Sequence, residues 1–359
     1  MTTNLSIEAV VAEIQRNIEH LSIDEIKARL EPLIIGMKVN APIIDSGMYL
    51  YRGRRFDKAF SKAGGVTRAD LIYPPADKAP VGRANRPSDP LFYCTVGKEP
   101  VFFELGDLSA GTDLVLAFWR TTARMIVNAI GYTQSAFDAL GAKRPCPTWS
   151  PEKPGELGSP AVVAAPRVAR EEMYALVGST DPLRERNRLL SELFACRVGP
   201  SEAAKYKLTA ALAELHWGTV YDHTGSLIPG GSGEFAGLIY PSIGMWANAD
   251  NLALKPWFVD KHLVFLKALH IRIDSYSIDS NGVASGHITP LDCGIDFGSH
   301  DNLRWLGGIQ HWTLPPGHVA NFTCVAGRYE DGDYELDASG NPCHWTAVDV
   351  TTGEPLKLA

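Results

Sequence analysis

Three separated segments of this 359-residue chain carry the residue types best suited to chemistry. The first is Leu50-Tyr51-Arg52-Gly53-Arg54. The second runs from Gly82-Arg83-Ala84-Asn85-Arg86-Pro87 to Leu91-Phe92-Tyr93 and Phe102-Phe103-Glu104. The third is Tyr240-Pro241-Ser242, followed by Asn248 and Asn251. A guanidinium is planar, permanently charged and pairs bidentately with phosphate, so Arg52 is a candidate anion ligand, with Arg54 and Arg83 in reserve. An ion pair on a strand edge accounts for a lone Arg equally well. Glu104 lies in the apolar run PVFFEL, where a carboxylate is costly to bury unless a polar pocket or a cation receives it. There it can stabilise positive charge developing on a reacting carbon or accept from ligand hydroxyls; a structural salt bridge is the plainer alternative. Ser242 follows Pro241 at a strand end, where its hydroxyl can bond a ligand oxygen or Glu104 without acting as a nucleophile, or simply satisfy a turn. Tyr93 offers a ring to stack and a hydroxyl to share, although a strand tyrosine commonly serves the core. Asn251, and after it Asn248, either shapes a loop or meets a ligand.

Residues 6 to 31 set Ile7, Val10, Val11, Ile14, Ile18 and Leu21 on one helical face, and a Ser22-x-x-Glu25 capping box opens a second helix that should close before Pro32. From Gly47 the pattern turns to short β-type runs, MYLYRGR, LFYC and PVFFEL, between Gly, Pro, Asp and Asn. Leu114 to Ile130 reads as a mostly buried helix, and Lys143 to Pro166 holds too many Pro and Gly residues for regular structure. Helical patterns follow over Val168 to Val177, after Asp181-Pro182 in N-cap and N1 positions, and over Ser201 to Trp217, together forming one helical insertion. Strand character resumes at Leu238 to Ile243 and His270 to Ile278. Asp279 to Gly282 suggests a tight turn, and Tyr334 to Val350 alternates around a turn at Ala338.

Other chemistries find little support. Gly231-x-Gly233-x-x-Ala236 runs into the β-type segment LIYPSI instead of leaving a strand to open a helix, so it reads as a flexible loop and not a dinucleotide fingerprint. There is no G-x-S-x-G elbow and no Walker loop. The acidic run Glu330 to Asp337 lacks the glycine a calcium loop needs at its sixth position, and the histidines show no metal-ligand spacing. Six cysteines are scattered without a CxxC pair, as expected of reduced cytosolic thiols. A formal charge of -7 without a Lys/Arg run argues against nucleic acid as a partner. The most apolar stretch, Leu114 to Tyr132, is interrupted by Arg120 and Arg124, and the start lacks a secretory pattern; a soluble cytoplasmic protein without membrane contact is expected.

Taken in order, the three segments resemble the RES-domain family, named for an Arg on an early strand, a Glu beyond a G-R-x-N-x-x-G-x-P-x-L-Y stretch and a Ser in a late Y-x-S strand. Arg52, Glu104 and Ser242 fill the named places, with Arg83, Asn85, Pro90, Tyr93 and Asn251 in supporting ones. The resemblance covers about Gly47 to Thr133 and Phe235 to Ile273. It implies an α+β fold with an ADP-ribosyltransferase-like split mixed β-sheet and flanking helices. It further implies a bacterial, toxin-like enzyme that degrades NAD+ by cleaving the nicotinamide glycosidic bond with phosphate or water as acceptor. On that basis Arg52, Glu104 and Ser242 are the expected catalytic residues, and Arg54, Arg83, Asn85, Tyr93 and Asn251 the expected substrate-binding ones. NAD+ is substrate, with no separate cofactor and no metal; an antitoxin or immunity protein is the expected partner, and a homodimer an allowed assembly.

The chain departs from compact members in placing residues 105 to 241 between Glu104 and Ser242, in its extensions at both ends, and in having Asp89 where the family has Gly before Pro90. The organisation expected is an N-terminal helical extension over 1–40, a RES-like catalytic domain over 41–278 with its helical insertion at about 140–230, and a β-rich C-terminal extension over 279–359. Two other readings stay open: transfer of ADP-ribose to a macromolecule, and an NAD+-binding module without catalysis.

Overall fold

The computed structural model describes residues 6–34, 41–57, 60–106, 108–131, 184–196, 198–216, 235–242, 246–278, 284–298, 301–305, 322–326 and 345–349. The chain is α+β, and its centre is a ten-stranded mixed sheet. In chain order the strands are β1 (Ile43–Ile44), β2 (Tyr49–Arg55), β3 (Phe92–Thr95), β4 (Asp113–Thr121), β5 (Met125–Ala129), β6 (Gly237–Ser242), β7 (Trp246–Leu254), β8 (Leu263–Ile278), β9 (Ala284–Phe297) and β10 (Leu303–Trp305). Their order across the sheet is β1-β5-β6-β7-β3-β2-β4-β8-β9-β10, and β5 with β6 is the parallel pair. A separate two-stranded ladder joins β11 (Phe322–Ala326) and β12 (Trp345–Asp349). The hairpin of β8 and β9 spans the boundary expected at 278, so β9 and β10 extend the same sheet.

The centre of the sheet is interrupted. β2 pairs with β4 through seven residues and β3 pairs with β7 through four, yet β2 and β3 share the single ladder pair Tyr51↔Thr95. Beyond that pair the two strands part, leaving backbone groups that something other than a ladder must satisfy.

The helices are α1 (Ile7–Arg16), α2 (Ile23–Ile34), α3 (Arg68–Leu71), α4 (Glu99–Glu104), α5 (Arg184–Ala195), α6 (Tyr206–His216) and α7 (Pro256–His262). Of the expected stripe, Ile7, Val11 and Ile14 are buried on α1 and Ile18 and Leu21 in the connection to α2, with Val10 half-buried. The capping box at Ser22 is formed, with the Ser22 N–H donating to Glu25 Oε2 and the Glu25 N–H to Ser22 Oγ. α2 does not close before Pro32 but runs on to Ile34, because a proline in a last turn forfeits one backbone bond and needs no kink to be accommodated. With α5 and α6 these helices cover the β3, β6 and β7 half of one sheet face, around Leu91, Leu238, Tyr240 and Ala253. α4 covers the other half of that face against Tyr51, Leu114, Leu116 and Ile271. The opposite face carries a continuous core around Leu50, Phe92, Trp119, Ile239 and Leu252.

Two expected elements differ in type. Leu114 to Ile130 is not a helix but the strands β4 and β5, joined by a turn at 122–124. β4 is buried on both faces, and such a strand reads as an unbroken apolar run without the period of two that would reveal it. PVFFEL, expected as a strand, forms α4, with Pro100 in the first turn, where its missing N–H is harmless. The helix expected after Asp181-Pro182 is present as α5, while its cap residues, the pattern at Val168 to Val177, the 143–166 stretch, the turns at 279–282 and 338, and the Gly231 to Gly233 loop lie outside the described residues.

At the outer margin, Asp113 on β4 accepts two bonds from the Arg272 guanidinium on β8, at 2.7 and 2.8 Å. That guanidinium is the main cause that holds the Asp113 carboxyl below the usual carboxylate range. Because its folded value lies below its unfolded one, the stabilisation is full above the ordinary carboxylate range and fades as the pH falls through the folded value. Asp113→Asn is therefore expected to lower the melting temperature modestly at neutral pH, with the gap to wild type closing in acid. A gap that persists unchanged at low pH would assign the effect to packing instead.

Among the described residues no helix is long and apolar enough to cross a membrane.

Candidate functional site

A cavity of about 330 Å³ opens where β2 and β3 part, between the helical layer on one half of the sheet and α4 on the other. Its size falls within the range of small-molecule sites, roughly 300–1,000 Å³. Arg52, Gly82, Arg83, Tyr93, Glu104, Tyr206, Tyr240 and Asn251 are among the residues that line it. All three sequence segments thus meet at one place.

Glu104 ends α4, and several contacts hold that helix against β2. A Cβ on Gly53 would overlap Val101 Cγ1, so only glycine lets α4 approach this closely. Arg55 Nη2 donates to the carbonyls of Leu105 (2.6 Å) and Gly106 (2.5 Å), satisfying the helix's last turn. Gly53→Ala should push α4 outward and displace Glu104, costing about 1–3 kcal/mol by overpacking. Thermal melting together with a ligand-binding assay checks this, and an unchanged affinity would show that α4 tolerates the shift.

Ser242 is the last residue of β6 and is fully buried. The register of β6 on β7 shifts between Pro241 and Ser242, and Ser242 Oγ donates to Glu104 Oε1 at 2.7 Å. One hydroxyl therefore orients the carboxylate. Residues 138 positions apart are joined in this way.

Arg52 stands in the gap itself. Its Nη1 donates to the Tyr93 carbonyl at 2.8 Å, meeting a backbone acceptor that the parted strands leave without a ladder bond, and its Nε is buried without a partner. Among the described residues no carboxylate pairs with it. Burial, chiefly, pushes its pKa down to about 10, with Arg54 adding repulsion. A guanidinium does not in practice give up its proton in a protein, so the shift marks an uncompensated cation that an anion would relieve.

Arg83 is buried, with 6% of its surface exposed, and is engaged by backbone: its guanidinium donates to the carbonyls of Leu193 (3.3 Å), Phe194 (2.6 Å) and Cys196 (2.8 Å) at the end of α5. It caps that helix while lining the cavity. Tyr93 presents its ring to the cavity, but its hydroxyl is committed, accepting from the Ala84 N–H (2.8 Å) and donating to Asn85 Oδ1 (2.7 Å). Asn85 lies behind the wall, where its amide also donates to the carbonyls of Pro80 and Arg86. It shapes the loop and does not line the cavity. A Cβ on Gly82 would overlap Asn85 Oδ1, which explains the glycine at this bend. Asn251 is buried on β7 and leaves Oδ1 without a partner at the cavity.

Arg54 is not brought into the cavity. It pairs with Asp70 at 2.6 Å and lies over the Phe60 ring at 3.9 Å from its centroid. Asn248 lies in β7, its side chain outside the described residues. Cys94 also lines the cavity, but burial pushes its thiol up, away from the thiolate a nucleophile needs. No group of His, Cys, Asp and Glu able to hold a metal ion occurs among the described residues.

Tyr206 is absent from the three sequence segments and Tyr240 stands in the third without an expected role, although both line the cavity. Tyr240 had a signal: on a strand, residues two apart share a face, and Tyr240 stands two before Ser242. Tyr206 had none, because only the packing of α6 brings it here. Comparison with protein-family models, with curated proteins and with solved structures finds no match for this chain.

Proposed function

We propose that this chain binds NAD+ in the cavity and cleaves its nicotinamide–ribose bond, passing ADP-ribose to phosphate or water. The observation that carries the proposal is the hydrogen bond from Ser242 to Glu104 at a cavity that also holds Arg52 with a buried, unpartnered Nε. When the bond breaks, its electron pair goes to the pyridinium nitrogen, nicotinamide leaves neutral, and positive charge builds on the ribose carbon. Glu104 stabilises that charge, Ser242 keeps the carboxylate aimed, and Arg52 takes the pyrophosphate. Phosphate then forms the new bond to the same carbon through one of its anionic oxygens, or water does so and releases a proton to solvent.

The parting of β2 and β3 at a single ladder pair supports reading the sheet as a split one of the ADP-ribosyltransferase kind. On this reading the protein is toxin-like and acts in the cytosol, with an antitoxin or immunity protein as its natural restraint.

The test is nicotinamide release from NAD+ by the purified protein, with and without phosphate. Release that requires phosphate identifies phosphorolysis, and release without it hydrolysis. Well-folded protein that releases none in either buffer overturns the proposal and turns attention to transfer onto a macromolecule or to binding alone.

A further inference from the structure

Resting on the NAD+ reading, we infer that α5 and α6 complete the substrate site, with Tyr206 and Tyr240 forming an aromatic subsite for the purine ring of a dinucleotide. Most of the cavity wall comes from the sheet, α4 and the Gly82-Arg83 bend, but Tyr206 comes from the first position of α6. Its ring lies under the Arg83 guanidinium, 5.4 Å from Cζ to centroid. The three carbonyls that hold Arg83 belong to the end of α5, so Arg83, Tyr206 and both helices form one fixed unit.

Tyr240 continues this wall, its ring 5.6 Å from that of Phe194 on α5. Neither Tyr206 nor Tyr240 spends its hydroxyl on a hydrogen bond among the described residues, in contrast to Tyr93. On β6 Tyr240 stands two residues before Ser242, which bonds Glu104, and its ring packs on Phe194, whose carbonyl accepts from Arg83, so the cavity wall runs from Glu104, past Tyr240, to Arg83 and Tyr206. A nicotinamide ribose placed at Glu104 leads its pyrophosphate past the guanidiniums and its purine to the tyrosines. Tyrosine suits such a wall, offering a large rigid face with little side-chain entropy to lose.

A mononucleotide lacks the purine nucleoside that the tyrosines are inferred to receive, so the subsite should discriminate between mononucleotide and dinucleotide. Calorimetric titration of wild type, Tyr206→Ala and Tyr206→Phe with NAD+, ADP-ribose and nicotinamide mononucleotide tests this, with melting temperature as the control for folding. Tyr206→Ala is expected to weaken NAD+ and ADP-ribose about tenfold while leaving nicotinamide mononucleotide within about twofold, and Tyr206→Phe to keep wild-type affinities. Equal weakening of all three ligands, or none for NAD+, overturns the subsite while the NAD+ reading stands. Wild-type protein that binds none of the three overturns that reading, and this inference with it.

Discussion

Glu104→Gln is expected to reduce nicotinamide release from NAD+ about a hundred- to a thousandfold, with KM changed by no more than a few-fold and the melting temperature unmoved. The substitution keeps the side chain's size and leaves an oxygen to accept from Ser242 Oγ, now at 2.7 Å from Glu104 Oε1. What it removes is the negative charge. In bound NAD+ the positive charge is spread over the pyridinium ring, and in the transition state it moves onto the ribose carbon that Glu104 faces on this reading, so the loss should fall chiefly on kcat. A merely structural Glu104 would behave in the opposite way, with lower stability and undiminished turnover. Release by the variant equal to that of wild type would remove Glu104 from the chemistry.

Arg52→Gln is expected to weaken NAD+ binding by about tenfold to a hundredfold, the usual weight of a charge-assisted hydrogen bond, while the free protein stays as stable as wild type or gains slightly. Two effects compete in the free protein. The bond from Arg52 Nη1 to the Tyr93 carbonyl closes part of the gap between β2 and β3, and a glutamine amide can take it over. The buried cation with an unpartnered Nε, which burial disfavours, disappears. NAD+ should accordingly raise the melting temperature of wild type and not of the variant, a comparison that separates a ligand-binding arginine from a strand clip. A variant that loses stability yet binds NAD+ with unchanged affinity would identify the clip.

Much of the cavity was legible before the fold was known. Arg52, Glu104, Ser242, Tyr93, Arg83 and Asn251 come from the three segments singled out by residue type and order, and five of these six line the cavity, with Ser242 bonded behind Glu104. Less legible was how each is used. Arg54 and Asn85 stand as close in sequence to the cavity residues as any, yet one is spent on Asp70 and Phe60 and the other on holding Tyr93. Both uses depend on partners that no local pattern names.

The same division holds for the fold. The sequence by itself determined the amphipathic N-terminal pair, the capping box at Ser22 and the strand character around Arg52, Tyr93 and Ser242, because caps and one-sided burial are short-range patterns. Only the tertiary structure decided that Leu114 to Ile130 is two strands and PVFFEL a helix. In both, apolar residues crowd without a clear period, and what selects the backbone is the layer on either side: β4 lies between two cores, while α4 has β2 beneath it and Gly53 to let it come close. The parting of β2 from β3, and the arrival of Tyr206 in the space it leaves, were likewise settled by packing between distant segments.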